Sequence, residues 1–207
     1  MLINLRNALM AGKRLPYDAE VEYLAATGTQ WINSGVDAWG DIEFEVLVDF
    51  SDYYPTSSSS YGICGAYVGT GGKQIYAAAN NYSNKRYVGG RDGFSFPSFG
   101  VDTFHGRVDL IRVLKTGAYI NDAVWRAGTT SNVNENGYTF MIFSVAGYSG
   151  YNLVGAIRSC KIWKSGVLVR DFIPVRKGTV GYLYDRVTGK LFGNAGTGDF
   201  VLGPDKN

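Results

Sequence analysis

Between Ile42 and Phe50 apolar and acidic residues take turns. Ile42, Phe44, Val46 and Val48 occupy one set of positions, and Asp41, Glu43, Glu45 and Asp49 the other. A period of two predicts a strand with one face buried and one wet. Residues 20–24, 30–36, 61–68, 74–79, 85–89 and 139–145 read as further strands. Residues 104–115 and 117–125 read as a hairpin with Thr116-Gly117 near its tip. In the C-terminal part, Cys160, Ile162, Val167, Val169, Phe172 and Val175 alternate with Lys161, Lys164, Arg170, Asp171 and Arg176. Ser165-Gly166 is the kind of pair that closes a hairpin, and residues 185–189 and 194–198 read as two further turns. Residues 51–60, 91–100 and 147–152 read as loops: one serine-rich, one bearing phenylalanines, one of glycine and tyrosine. Roughly a dozen short elements at regular spacing predict a sandwich or barrel, not alternating helices and strands.

The first residues break this pattern. Leu2, Leu5 and Leu9 recur at helical spacing, and Gly12-Lys13-Arg14 followed by Leu15-Pro16 makes a stop. A helix of about 11 residues is marginal alone in water, so this one is expected to dock, with the three leucines as an oligomerisation stripe. Asn4, Arg6 and Asn7 interrupt the apolar stretch, which argues against a secretory signal. The expected division is therefore a helix and linker at 1–16, a sandwich at 17–203 and a polar tail at 204–207.

Composition narrows the function classes. The 20 basic and 18 acidic residues are mixed along the chain and give a net charge of +2, with no basic stripe to neutralise phosphates. Nucleic acid is therefore not an expected partner. No apolar run reaches the roughly 18 residues that a membrane-spanning helix needs. Cys64 and Cys160 sit in apolar strand-like runs, where either a bridge between sheets or two buried thiols would fit. His105 is the only histidine, no nucleophile-elbow motif accompanies it, and one histidine with two separated cysteines is no zinc set. Gly69 to Gly72 lacks the following Lys-Ser/Thr of a phosphate loop. Fifteen tyrosines are the unusual resource, and many stand in turns beside Asn and Gly. Aromatic rings so placed can stack on sugar faces or anchor a protein. The candidate ligand-binding residues are Tyr82, Arg86, Tyr87, Arg91, Tyr148 and Tyr151.

Two blocks carry a resemblance: EYLAATGTQWINSGV at residues 22–36, and SCKIWKSGVLVRDFIPVRKGTVGYLYDRVTGKLFGNAGTGDFVLG at residues 159–203. Both look like the opening and closing blocks of laminin-G-like, concanavalin A-type jelly-roll modules of gut bacteria and their phages. Residues 51–154 carry no motif of that family. The resemblance implies an all-β, concanavalin A-like jelly-roll sandwich serving as a non-catalytic binding or structural module. It further implies a place on a virion (fibre, tail or head decoration) or an extracellular surface, with host glycans, other surface proteins and copies of itself as partners. A bacterial surface carbohydrate-binding module is the alternative. A β-glucan hydrolase is a third reading, because glucanases of this fold carry their carboxylates at alternate positions of one strand, as Asp41, Glu43 and Glu45 stand here. In those enzymes the order is Glu, Asp, Glu, whereas here it is Asp, Glu, Glu, and any amphipathic strand produces such spacing. No cofactor is expected. Calcium is the one metal the resemblance brings in, with Asp37, Asp41, Asp92 and Asp102 as loop acids that lack a D-x-D-x-D spacing.

Overall fold

The computed structural model describes residues 15–69, 71, 73–148 and 150–206. The expected helix and its leucines Leu2, Leu5 and Leu9 lie outside the described residues. Among the described residues eighteen strands follow one another: β1 (Ala19–Glu20), β2 (Leu24–Thr27), β3 (Ile32–Asp37), β4 (Ile42–Asp49), β5 (Ser60–Ala66), β6 (Ile75–Asn80), β7 (Arg86–Arg91), β8 (Phe94–Ser95) and β9 (Phe99–Gly100). Then come β10 (Val108–Leu114), β11 (Gly117–Ile120), β12 (Ala123–Ala127), β13 (Thr139–Ile142), β14 (Val154–Lys164), β15 (Val167–Lys177), β16 (Val180–Asp185), β17 (Lys190–Phe192) and β18 (Val201–Leu202).

They form two antiparallel sheets. The larger runs β12-β11-β10-β4-β14-β15-β16-β17, with β1 on β15, β2 on β14 and β18 on β2. The smaller runs β3-β13-β5-β6-β7-β8, with β9 also on β7. The Ser165-Gly166 turn forms as expected, both residues at positive φ (50° and 74°) between β14 and β15. Asn121 and Asp122 also take positive φ (48° and 67°), so the run expected as one strand over 117–125 folds back as β11 and β12. Asn and Asp tolerate that conformation, which makes them hairpin residues.

The alternation of β4 is realised. Ile42, Phe44, Val46 and Val48 are fully buried between the sheets, and Phe44 meets Phe140 of the smaller sheet edge-on at 5.2 Å. Cys64 and Cys160 are both buried and both free thiols. Burial pushes both above the ordinary thiol range, with Cys160 adding to the effect on Cys64.

Polar residues also pin the layers together, and two of them correct the sequence reading. Tyr87 and Arg91, expected at a ligand surface, have no exposed area. They share with Gly89 the inward parity of β7. The Tyr87 hydroxyl donates to Asp109 of β10 at 2.5 Å, and Asp109 also receives Arg107 and Asn121. Arg91 donates to the Ile42 carbonyl from Nη2 at 3.2 Å, to Thr130 Oγ1 and to the Ser131 carbonyl, and faces Asp41 at 3.6 Å. A buried guanidinium survives only with partners of this kind. Both residues hold sheet to sheet.

Within the larger sheet, Asp49, 2% exposed, offers a test of one buried ion pair between β4 and β14. Burial alone would raise its pKa. Hydrogen bonds from Ser51 (backbone N–H at 2.8 Å) and Arg158 (2.7 Å) outweigh that and hold it below the ordinary carboxylate value. A depressed folded value means stabilisation present above the unfolded pKa of about 3.9 and lost as pH falls through the folded one. Asp49→Asn should therefore cost about 1–2 kcal/mol at neutral pH in chemical denaturation. The gap to wild type should close below about pH 4; a gap of constant size into acid would contradict the assignment.

Candidate functional site

On the outward face of the smaller sheet, one large side chain of β6 is surrounded by small residues, with Val88 and Arg86 further along β7. Along β6, Ile75, Ala77 and Ala79 point into the core, so Tyr76 points out. Its cross-strand neighbours are Gly65 and Gly90, and Ala78 lies opposite Gly62. The glycines leave Tyr76 standing above a nearly bare sheet.

A loop covers part of this face. The run expected as a strand over 139–145 stops at Ile142, because Phe143 takes φ +66°, a costly conformation for a bulky side chain. Its surroundings impose it: the Phe143 N–H donates to the Ile63 carbonyl at 2.9 Å, its carbonyl receives Leu153 N–H at 2.8 Å, and its buried ring packs on Phe200 at 4.7 Å. The chain then crosses over β5. Gly62 N–H donates to the Tyr151 carbonyl at 2.8 Å. A Cβ at Gly62 would lie 2.6 Å from that oxygen and 2.8 Å from Val145 N, so only glycine lets the loop sit there. Gly147, at φ +77°, likewise presses against the Tyr67 carbonyl.

This crossing assembles four phenol rings. Tyr67 stands edge-on to Tyr76 and to Tyr148, each at 5.1 Å, and Tyr148 packs on Tyr151 at 4.4 Å. Tyr82, 41% exposed in the β6–β7 turn, lies within electrostatic reach of Tyr148. Burial, followed by the neighbouring phenols, raises the pKa of Tyr148 and pushes that of Tyr76 up to about 12. The two rings therefore remain neutral hydroxyls, each able to donate and accept.

Beside the rings lies an open depression of about 460 Å³, lined among others by Trp31, Tyr138, Ser144, Tyr148 and Asn152. Trp31 is set by a clamp between the two ends of the chain. Its N–H donates to Asn194 Oδ1 at 3.1 Å, and its carbonyl receives Ala195 N–H at 2.8 Å. Thr29 Oγ1 donates to the Thr197 carbonyl at 2.9 Å, and buried Gln30 donates to the Asp199 carbonyl at 3.0 Å. Asn152 ties the tyrosine loop to the same clamp through the Gly28 carbonyl at 3.1 Å. The TGTQW and NAGTG stretches of the two end blocks thus interlock, and one product of that contact is a wall of this depression.

Of the six residues expected to bind, the structure brings Tyr82, Tyr148 and Tyr151 together. Arg86 sits half-buried on the same sheet opposite Asn80, where the turn bearing Tyr82 begins. Tyr87 and Arg91 are interior. Trp31, Tyr67, Tyr76 and Asn152 are not among the residues the sequence singles out; the outward parity of Tyr76 within the Ile75–Ala77–Ala79 alternation is the available signal. The carboxylates weighed for hydrolysis are on the larger sheet. Glu43 accepts Lys115 N–H at 2.5 Å, Glu45 pairs with Lys161 at 2.9 Å, and Asp41 lies between Lys115 and Arg91. Among the described residues, no group of three or more His, Cys, Asp or Glu could hold a metal ion.

No protein-family pattern matches the chain. No curated protein matches it either. Among solved structures, it is similar to a crystal structure from Bacteroides ovatus of a protein to which carbohydrate binding has been ascribed, at TM-score 0.55 and 13% identity. The match covers 91% of this chain and 61% of that one, so this chain spans about three-fifths of its length. What the two share at that identity is the β-rich fold.

Gly62→Ala should lift the tyrosine loop without unfolding the sandwich. Amide hydrogen exchange should then quicken at residue 62 and through residues 144–148 by about tenfold, matching the ~1–1.5 kcal/mol of one lost hydrogen bond. Unchanged protection there would show that the loop does not depend on the bare position.

Proposed function

We propose that this chain is a non-catalytic carbohydrate-binding module of the concanavalin A-like, laminin-G-like jelly-roll type, displayed on a virion or a cell surface. The observation that carries the proposal is the array of Tyr67, Tyr76, Tyr148 and Tyr151 beside a depression edged by Trp31, Ser144 and Asn152. A sugar ring offers an apolar C–H face and a rim of hydroxyls. Flat aromatic rings suit the first, and neutral phenols, a hydroxyl and an amide suit the second. The site is poor in charge and the chain is near neutrality, which favours an uncharged ligand over an anionic one. The function ascribed to the Bacteroides ovatus protein of similar fold points the same way. Resemblance of the end blocks to modules of gut bacteria and their phages supports the surface or virion setting, with host glycans as ligands and copies of the chain as partners.

Screening the full chain against a glycan array and titrating the hits tests the reading. Tyr148→Ala and Tyr151→Ala should each weaken binding about tenfold or more, as aromatic anchors do, with little change in melting temperature. Glu43→Gln, on the opposite sheet, should leave binding intact. Absence of binding to every glycan, or equal binding by the tyrosine variants, would overturn the proposal.

Raised pKa values at Tyr76 and Tyr148 set a second expectation. Because an ordinary tyrosine titrates near pH 10 and these titrate higher, affinity should stay flat from about pH 6 to about pH 9. A decline across that range in titration calorimetry would mean that a different, titrating group makes the contact.

A further inference from the structure

A second depression, of about 480 Å³, opens beside Tyr82, lined among others by Tyr54, Asn81, Lys85, Thr103 and His105. We infer that it is a second sugar subsite, and that the ligand is an extended oligosaccharide lying from Trp31 past Tyr148 and Tyr82 to the Tyr54–His105 pair. This rests on the carbohydrate reading above and specifies its ligand class.

The groove is an organised site. Its far wall belongs to the serine-rich stretch 51–60, which the sequence showed only as a polar loop. Asn81 fastens that stretch down: its backbone N–H donates to the Ser59 carbonyl at 2.9 Å, and Nδ2 donates to the carbonyls of Pro55 at 3.0 Å and Ser57 at 3.1 Å. The Tyr61 hydroxyl adds a bond to the Ser57 carbonyl at 3.2 Å. Tyr54 packs against the core from above, and His105 lies on it with ring centroids 4.5 Å apart. His105 is exposed, and its backbone N–H is fixed by Thr103 Oγ1 at 3.1 Å. The result is a second aromatic platform, rimmed by a hydroxyl and an ammonium group; it shares aromatic and hydroxyl surfaces with the first depression and adds one charge.

Tyr82 joins the two. It lines the groove, and it lies within electrostatic reach of Tyr148, which lines the first depression. The register supplies the spacing. Ala78 lies opposite Gly62, under the tyrosine loop, and Asn80 lies two residues further along β6, roughly 6–7 Å at the usual strand rise. The groove starts at the next residue. Two platforms set along one strand suit a short chain of sugar rings, one ring to each.

The test uses the full chain and a length series of whichever glycan binds, from monosaccharide upward. Affinity should rise stepwise with length. His105→Ala, which alters an exposed side chain, should weaken the longer oligomers about fivefold or more and leave the shortest binder unchanged, whereas Tyr148→Ala should weaken all lengths. Lys85→Ala, at the same rim, should repeat the length-selective loss. Affinity independent of length, or longer oligomers indifferent to both groove variants, would refute the second subsite while leaving the first standing. Failure of every glycan to bind would remove both.

Discussion

The aromatic face depends on one contact between backbones. Gly62 presents no side chain, and so the Tyr151 carbonyl and Val145 amide can rest directly on β5. Everything distinctive follows from that seat. Phe143 is held at a positive φ to start the crossing, Gly147 brings the loop down on Tyr67, and Asn152 ties its end to Gly28. Local strain is tolerated where the surroundings over-determine it, and here buried packing of Phe143 on Phe200 and two backbone hydrogen bonds do so. A loop thus anchored presents its tyrosines with little left to order when a ligand arrives, which favours affinity.

The two sheets divide the work. The larger one turns a charged surface outward and neutralises it locally, with Lys161 on Glu45, Arg158 on Asp49 and Arg186 on Asp171. Around Tyr76 the smaller one turns outward glycines and an alanine, with Val88 and Arg86 further along β7. Between them, the apolar layer gives bulk adhesion, and directional pins such as Arg91 to Ile42 and Tyr87 to Asp109 restrict how one sheet can slide on the other. A site made of one sheet's face and the loops beside it needs that rigidity.

What could be read from sequence was what local rules decide. The β4 alternation, the Ser165-Gly166 hairpin and the sandwich class all follow from periodicity and turn chemistry. Asn121-Asp122 was legible in the same way but was absorbed into an apolar run. Tyr87 and Arg91 stand next to glycine- and asparagine-rich turns and so look like surface residues; their spacing of four, on the face shared with Gly89, is the better guide. The crossing loop was out of reach, since a phenylalanine at positive φ runs against its own preference and is imposed by residues far away in the chain. Trp31 belongs to this class too. It is placed by Asn194 and Ala195, more than 160 residues later.

The most direct measurement is a map of the bound sugar on the protein by amide and aromatic NMR shifts during titration of the full chain. The account predicts perturbations gathered at Tyr76, Tyr82, Tyr148, Tyr151 and the Trp31 indole. Shifts gathered instead around Glu43, Glu45 and Lys161 on the larger sheet would contradict it.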